Sequence, residues 1–157
     1  MDSSLPQFKY YLGCDHAGFD LKEVIKTYLN SKNLIVEDLG VYTADRCDYP
    51  DLAAKVAQEV AKNNNHRGIL VCGSGIGISI AANKFRGARC GLCHDDYSLK
   101  RALEAYCNII SLGGRVIGDK LALSIVESFV AKANYVEDEK YKEVMKGIAL
   151  IEEKYYK

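Results

Sequence analysis

Residues 67–84 run from Arg67 to Lys84 through Ile69-Leu70-Val71-Cys72-Gly73-Ser74-Gly75-Ile76-Gly77, and they constrain the fold more than any other stretch. Ile69, Leu70 and Val71 form an unbroken apolar segment suited to a strand covered on both faces. Gly73, Gly75 and Gly77 then let the backbone turn tightly and approach a ligand without interference from a Cβ. Behind them Ile76, Ile80, Ala81 and Lys84 fall at helical spacing, so the segment predicts strand, glycine loop and helix. Such a loop aims several backbone N–H groups at one point, and the dipole of the helix adds positive potential there. It therefore predicts a site for an anion, or for an oxygen that becomes anionic during a reaction. Cys72 sets a thiol at its lip, where the same N–H groups favour a thiolate.

The rest of the chain repeats this alternation. Phe8–Leu12 predicts a first strand closed by Gly13, followed by a helix with Leu21, Val24, Ile25, Tyr28 and Leu29 on one face. Leu34–Val36 predicts a second strand. Pro50 suits the first turn of a helix whose buried face carries Leu52, Val56 and Val60. Arg89–Cys93 and Asn108–Leu112 predict strands four and five, with a short helix from Ser98 to Ala105 between them. Leu121, Ile125 and Phe129 mark the next helix. Tyr141, Val144, Met145, Ile148, Ile151 and Tyr155 mark an amphipathic tail helix over about 139–156. Strands alternating with helices predict an open, five-stranded parallel sheet covered on both faces, in one α/β domain over 1–157. Right-handed crossovers bring the loops after the strands to one edge, where ligands of such sheets bind. Asp15, His16, the loop from Cys72 to Gly77, His94, Asp95 and Arg115 all follow strand ends and are expected to converge. The tail helix has no strand left to pack behind, and is expected to dock on a second subunit.

Several other chemistries are excluded. The 21 acidic and 21 basic side chains balance, which gives no pull toward nucleic acid or a membrane surface, and no apolar run nears the ~20 residues of a span. Six cysteines in a chain whose Met1–Pro6 segment lacks a leader pattern read as reduced thiols of a cytoplasmic protein. Gly73-Ser74-Gly75-Ile76-Gly77-Ile78 imitates a dinucleotide fingerprint, with Asp95 about 20 residues on. However, Ile78 stands at its last glycine position, and the loop follows the third strand. A cysteine phosphatase loop needs an arginine at that same position. Cys90-Gly91-Leu92-Cys93-His94 matches a haem-attachment pattern, but on an expected buried strand its cysteines serve as small hydrophobes. Neither cofactor nor metal is expected. Asp15 with His16, and His94, each have a competing reading as helix caps. Asp48 and Tyr49 compete as supports for the helix that Pro50 starts, and Arg115 as a surface charge. His66, in the turn at the opposite edge, is expected to be inert.

Five motifs occur in order: Gly13-Cys14-Asp15-His16-Ala17-Gly18, Asp48-Tyr49-Pro50, Cys72-Gly73-Ser74-Gly75-Ile76-Gly77 with Asn83-Lys84 behind it, Cys93-His94-Asp95, and Gly113-Gly114-Arg115. Together, over about Tyr10 to Tyr135, they resemble the type B ribose-5-phosphate isomerases, grouped with the galactose-6-phosphate isomerases. The resemblance implies a metal-free aldose–ketose isomerisation on a Rossmann-like three-layer α/β/α sandwich. It also implies a homodimer, or a tetramer, with sites shared between subunits. Cys72 matches the base that moves a proton between C1 and C2 through an enediolate. The N–H groups of Gly73, Ser74, Gly75, Ile76 and Gly77, with the Ser74 hydroxyl, match the oxyanion-holding loop. Asp15, His16 and Tyr49 match substrate-binding residues, and Arg115 an anion-binding arginine.

The chain departs from the ribose-type pattern in two places. A His-Asn pair before the fifth strand, whose histidine helps open the sugar ring, is replaced by Glu104-Ala105-Tyr106-Cys107-Asn108. His94 is the best substitute for it. Two phosphate-binding arginines of the tail are also missing, and Lys140 and Lys142 are the nearest cations. The expectation is a ribose 5-phosphate–ribulose 5-phosphate isomerase. A galactose or allose 6-phosphate isomerase and a non-catalytic sugar-phosphate binding protein are the alternatives. Retention of Cys72 argues against the last, since binding alone needs no thiol.

Overall fold

A computed structural model describes residues 7–156; the Met1–Pro6 segment lies outside the described residues. In chain order the elements are β1 (Lys9–Cys14), α1 (Phe19–Ser31), β2 (Ile35–Asp38), α2 (Pro50–Ala61), β3 (His66–Cys72) and α3 (Ile76–Ala82). They continue with β4 (Cys90–Leu92), α4 (Asp96–Glu104), β5 (Ile109–Gly113), α5 (Asp119–Lys132) and α6 (Glu139–Tyr155). The five strands form one parallel sheet in the order β2-β1-β3-β5-β4.

Burial explains the sequence pattern strand by strand. β1, β3 and β5 are central and almost wholly buried, so they read as continuous apolar runs. The edge strands β2 and β4 have no fully buried residue. Alternate side chains of the central strands serve two cores. Leu12, Ile69, Val71, Ile110 and Leu112 pack under α1, α4 and α5. Tyr11, Leu70, Cys72 and Ile109 pack under α2 and α3. The expected three-layer sandwich is therefore the observed one.

Three local expectations are corrected. β1 does not close at Gly13 but pairs with β3 as far as Cys14 opposite Val71. β4 is shorter than the apolar run around it. On α3 the stripe at Ile76 and Ile80 faces outward, 51% and 56% exposed, while Ile78 and Ala82 are the buried pair. A seven-residue helix cannot bury both faces, and its start and end are fixed by tighter constraints than its stripe. The end is fixed by Asn83, whose amide donates to the Cys90 carbonyl and accepts its N–H at 2.9 and 2.8 Å.

The tail also behaves differently from a sandwich helix. No residue of α6 is buried. It lies along the edge where the strands begin, held by Tyr141 against Tyr106 (centroids 5.0 Å apart) and by Arg86 donating to the Glu152 carbonyl at 2.8 Å. Tyr156 adds a hydroxyl bond to the Asn83 carbonyl at 2.9 Å. Leu150, Ile151 and Tyr155 remain open to solvent. No helix of the described residues is long and apolar enough to cross a membrane.

Candidate active site

From β1 the chain steps to β2 on one side, then returns to lay β3 on the other side of β1. The loops after β1 and β3 therefore part at this point, and open α/β sheets bind ligands in the crevice so formed. Most of the expected site residues sit around it.

Cys72 ends β3 and is 4% exposed. Its Sγ accepts the Gly75 N–H at 3.1 Å, which folds the loop back over the sulfur. Gly75 is in the left-handed region at φ +79°, and a Cβ there would lie 2.6 Å from Leu92 Cδ1 and 2.9 Å from the Leu112 carbonyl carbon. Only glycine fits both demands. The Ile76 N–H donates to Ser74 Oγ at 3.2 Å. Two of the five N–H groups expected to face a ligand are thus committed inside the loop. Among the described residues, the remaining three, of Gly73, Ser74 and Gly77, and that of Ile78 behind them make no hydrogen bond within the chain. With the Ser74 hydroxyl hydrogen, they are the donors left for an anion.

Gly77 is a glycine for a different reason. A Cβ there would come 2.5 Å from Tyr49 Cζ and 2.8 Å from its hydroxyl, so the phenol lies directly on the loop backbone. Tyr49 also precedes Pro50 at the start of α2, so it supports the helix and lines the loop together. From β5, the Gly114 N–H donates to the Cys72 carbonyl at 2.8 Å and the Arg115 N–H to that of Gly73 at 3.0 Å. The Arg115 side chain lies beside Gly73, its Nη1 3.9 Å from where a Cβ would be. Arg115 is exposed and makes no ion pair among the described residues.

The turn after β1 joins the same cluster through the Asp15 N–H, which donates to the Val71 carbonyl at 3.2 Å. Asp15 is a cap, as one reading expected: Oδ1 accepts the N–H groups of Ala17 and Gly18 at 3.0 and 3.1 Å. Its Oδ2 takes no donor from the described chain. His16 Nδ1 is held by the backbone of Cys47, 2.9 Å from its carbonyl oxygen and 3.3 Å from its amide nitrogen, so either tautomer finds a partner there. That leaves Nε2 as the nitrogen available to a ligand.

Two expected residues stand apart. His94 follows β4 on the same sheet edge, and its backbone N–H donates to Ser98 Oγ at 3.0 Å. It is not the cap of α4. Asp95 is, accepting the Ser98 N–H at 2.7 Å in a capping box, so its carboxylate does not orient the His94 ring. The Nε2 of His94 is buried without a partner. Lys140 opens α6, at the edge where the strands begin, opposite the glycine loop of its own chain. His66, with Nδ1 2.7 Å from the Glu59 carbonyl, lies at that same far edge. Among the other thiols, burial pushes Cys14 and Cys93 up to about 12 and Cys107 to about 11, and it raises Cys90 as well. What the sequence did not single out is Cys47, whose backbone rather than its thiol meets His16.

The arrangement resembles known proteins over nearly its whole length. The sequence model of the family described as Ribose/Galactose Isomerase matches residues 10–147. The chain belongs to this family. It is 40% identical to the ribose-5-phosphate isomerase B of Escherichia coli over 147 residues, 93% of this chain and 97% of that one. It is 42% identical to the D-erythrulose-4-phosphate isomerase of Pectobacterium atrosepticum, over 76% of this chain and 80% of that one. The structure of ribose-5-phosphate isomerase B from Clostridium thermocellum superposes with a TM-score of 0.87 at 38% identity, covering 94% of this chain and 99% of that chain. Family membership makes this chain a sugar-phosphate isomerase.

Proposed function

We propose that the chain interconverts ribose 5-phosphate and ribulose 5-phosphate without a metal, with Cys72 as the base. The observation that carries this is the sulfur set beneath a loop whose Ser74, Gly77 and Ile78 N–H groups are unused. On the open-chain aldose the Cys72 thiolate takes the proton from C2. The C–H electron pair becomes the C1–C2 double bond, and negative charge moves onto O1. The loop donors hold that oxygen as charge develops; such a donor is worth roughly 10²–10³ in rate. Return of the proton from Cys72 to C1, with the O2 proton passing to O1, gives the ketose. Tyr49 and Asp15 contact the sugar, and His16 and Arg115 are offered to its phosphate.

The site is completed by a second copy. Ile76 and Ile80 on α3, and Leu150, Ile151 and Tyr155 on α6, are apolar and uncovered, so dimerisation would bury them. Lys140 cannot reach the loop of its own chain from the opposite edge, and meets a phosphate only in the partner's site.

A second reading rests on the relative from Pectobacterium. An aldotetrose 4-phosphate has no hydroxyl that can close a furanose, so it needs no ring opening, and this chain lacks the His-Asn pair. The test is a coupled assay without added metal on tetrose 4-, pentose 5- and hexose 6-phosphates. Fastest turnover of ribose 5-phosphate is expected. A strong preference for the tetrose, or for galactose or allose 6-phosphate, would replace the first reading by that substrate.

Ring opening is assigned to His94, whose buried, unpartnered Nε2 supports the role. His94→Asn is expected to slow turnover of ribose 5-phosphate by roughly 10²-fold, the low end for a general acid–base group. It should spare C–H exchange on ribulose 5-phosphate, a ketose that cannot close a furanose. Equal losses in both assays, or none in either, would remove His94 from the mechanism.

A further inference from the structure

Lys22 stands on the first turns of α1 with no exposed surface at all. Its Nζ donates to Asp38 Oδ1 and Oδ2, both at 2.8 Å, and to the Val41 carbonyl at 2.6 Å. An ammonium has three N–H donors, so every one is used. Asp38 in turn accepts the Gly40 N–H at 2.9 Å and a bond from Lys26 at 2.9 Å. Burial pushes the Asp38 carboxyl up, but Lys22, Lys26 and the Gly40 N–H hold it below the usual carboxylate range. The Asp38 carboxylate of this knot therefore stays ionised at neutral pH.

What the knot fastens is the beginning of segment 38–49. Past the end of β2, the Leu39 N–H still donates to Leu12 and the Val41 N–H to Cys14, at 2.9 and 3.1 Å. Tyr42 sends its hydroxyl back to the Asp38 carbonyl at 3.0 Å, and its ring lies 5.5 Å from the Lys22 ammonium. The far end of the segment supplies the Cys47 carbonyl that fixes His16 and the Tyr49 phenol that lies on Gly77. The residues between are exposed and carry only the local Thr43–Asp45 bond at 3.0 Å. Their course over the site is set by their two ends.

We propose that Lys22 is a positioning residue: by anchoring Val41 and Asp38, it holds segment 38–49 so that His16 and Tyr49 are presented to the sugar phosphate. The proposal rests on the isomerase reading of the site, but not on which sugar is used. The hydrogen bonds and ion pairs of Lys22 go to Asp38, Val41 and Glu23, none to β3 or the glycine loop, so it should govern substrate binding rather than proton transfer.

Lys22→Met leaves the half-buried Asp38 carboxylate with only Lys26 and the Gly40 N–H and is expected to fold poorly, so Lys22→Met/Asp38→Asn, which strands no charge, is measured beside it. In the double variant KM is expected to rise about tenfold with kcat within threefold, the pattern of lost ground-state binding. The ¹⁵N signals of the His16 imidazole should shift as the contact of Nδ1 with the Cys47 backbone is lost. A folded double variant with lower thermal stability but unchanged KM and unchanged His16 signals would make Lys22 merely structural and overturn the proposal. If the wild-type chain turned over no aldose phosphate, the isomerase reading would fail, while the His16 signals would still decide whether Lys22 sets that histidine.

Discussion

Cys72→Ala is expected to lower isomerase turnover by roughly 10²–10⁴-fold, the usual contribution of a positioned base, while substrate affinity changes by no more than a few-fold. The split follows from where the sulfur sits. It ends β3, 4% exposed, beneath the loop rather than among the side chains offered to phosphate. In the proposed site, binding draws on His16, Arg115 and the N–H groups, and only the proton transfer needs the thiolate. Losing the sulfur also frees the Gly75 N–H, so the loop should loosen slightly, which is why affinity is not expected to be untouched. Cys72→Ser should be nearly as damaging, because an alkoxide is far harder to form than a thiolate. Steady-state kinetics beside equilibrium binding of the sugar phosphate separates the two effects. Activity near wild type in Cys72→Ala would remove Cys72 as the base, and a parallel collapse of binding would recast it as a structural residue. Cys14, Cys93 and Cys107 are no ready substitutes: burial pushes them up to about 12, about 12 and about 11, so they stay protonated at neutral pH.

Deleting residues 137–157 is expected to abolish activity and convert the proposed dimer to monomer or aggregate. This cut keeps Tyr135, whose hydroxyl bonds the Cys107 carbonyl at 2.7 Å, so the body of the fold retains its closure. What is lost is α6, with Leu150, Ile151 and Tyr155 exposed on it and Lys140 at its start. Each large apolar side chain taken from water at an interface contributes about 1.5–3 kcal/mol before association costs are met, so losing three of them should shift association by several orders of magnitude. Sedimentation velocity beside the isomerase assay checks both halves. A truncated chain that remains dimeric and fully active would sink the shared site and the role of the tail together.

The sheet and its layers were legible because parallel strands buried on both faces write themselves as apolar runs such as Ile69-Leu70-Val71. The convergence of Asp15, His16, Cys72 and Arg115 was legible from topology, since all follow strands that end at one edge. Periodicity failed on α3. With only seven residues and apolar side chains all round, spacing cannot say which face is inward. The capping of α4 by Asp95 rather than His94 depended on one backbone turn. Least legible was the allocation of N–H groups within the glycine loop. Composition announced five donors, but the Cys72 sulfur and the Ser74 hydroxyl take two of them. The place of Lys140 was hidden as well, because the sequence carries no sign of which edge a tail helix will follow.

Helix α3 leaves little room for drift. Its entry is fixed by the left-handed Gly75 and its exit by the Asn83 bracket on Cys90. Gly77 is held by the Tyr49 ring, and Ile78 and Ala82 by the core. Ile76 and Ile80 answer to whatever covers the outer face. Almost every position along its seven residues is thus under a separate veto. A chain built this way can change its preferred sugar more readily through the exposed 42–46 segment or the tail than through the helix beside its own chemistry, so divergence within such a fold should be carried by the periphery while the centre stands still.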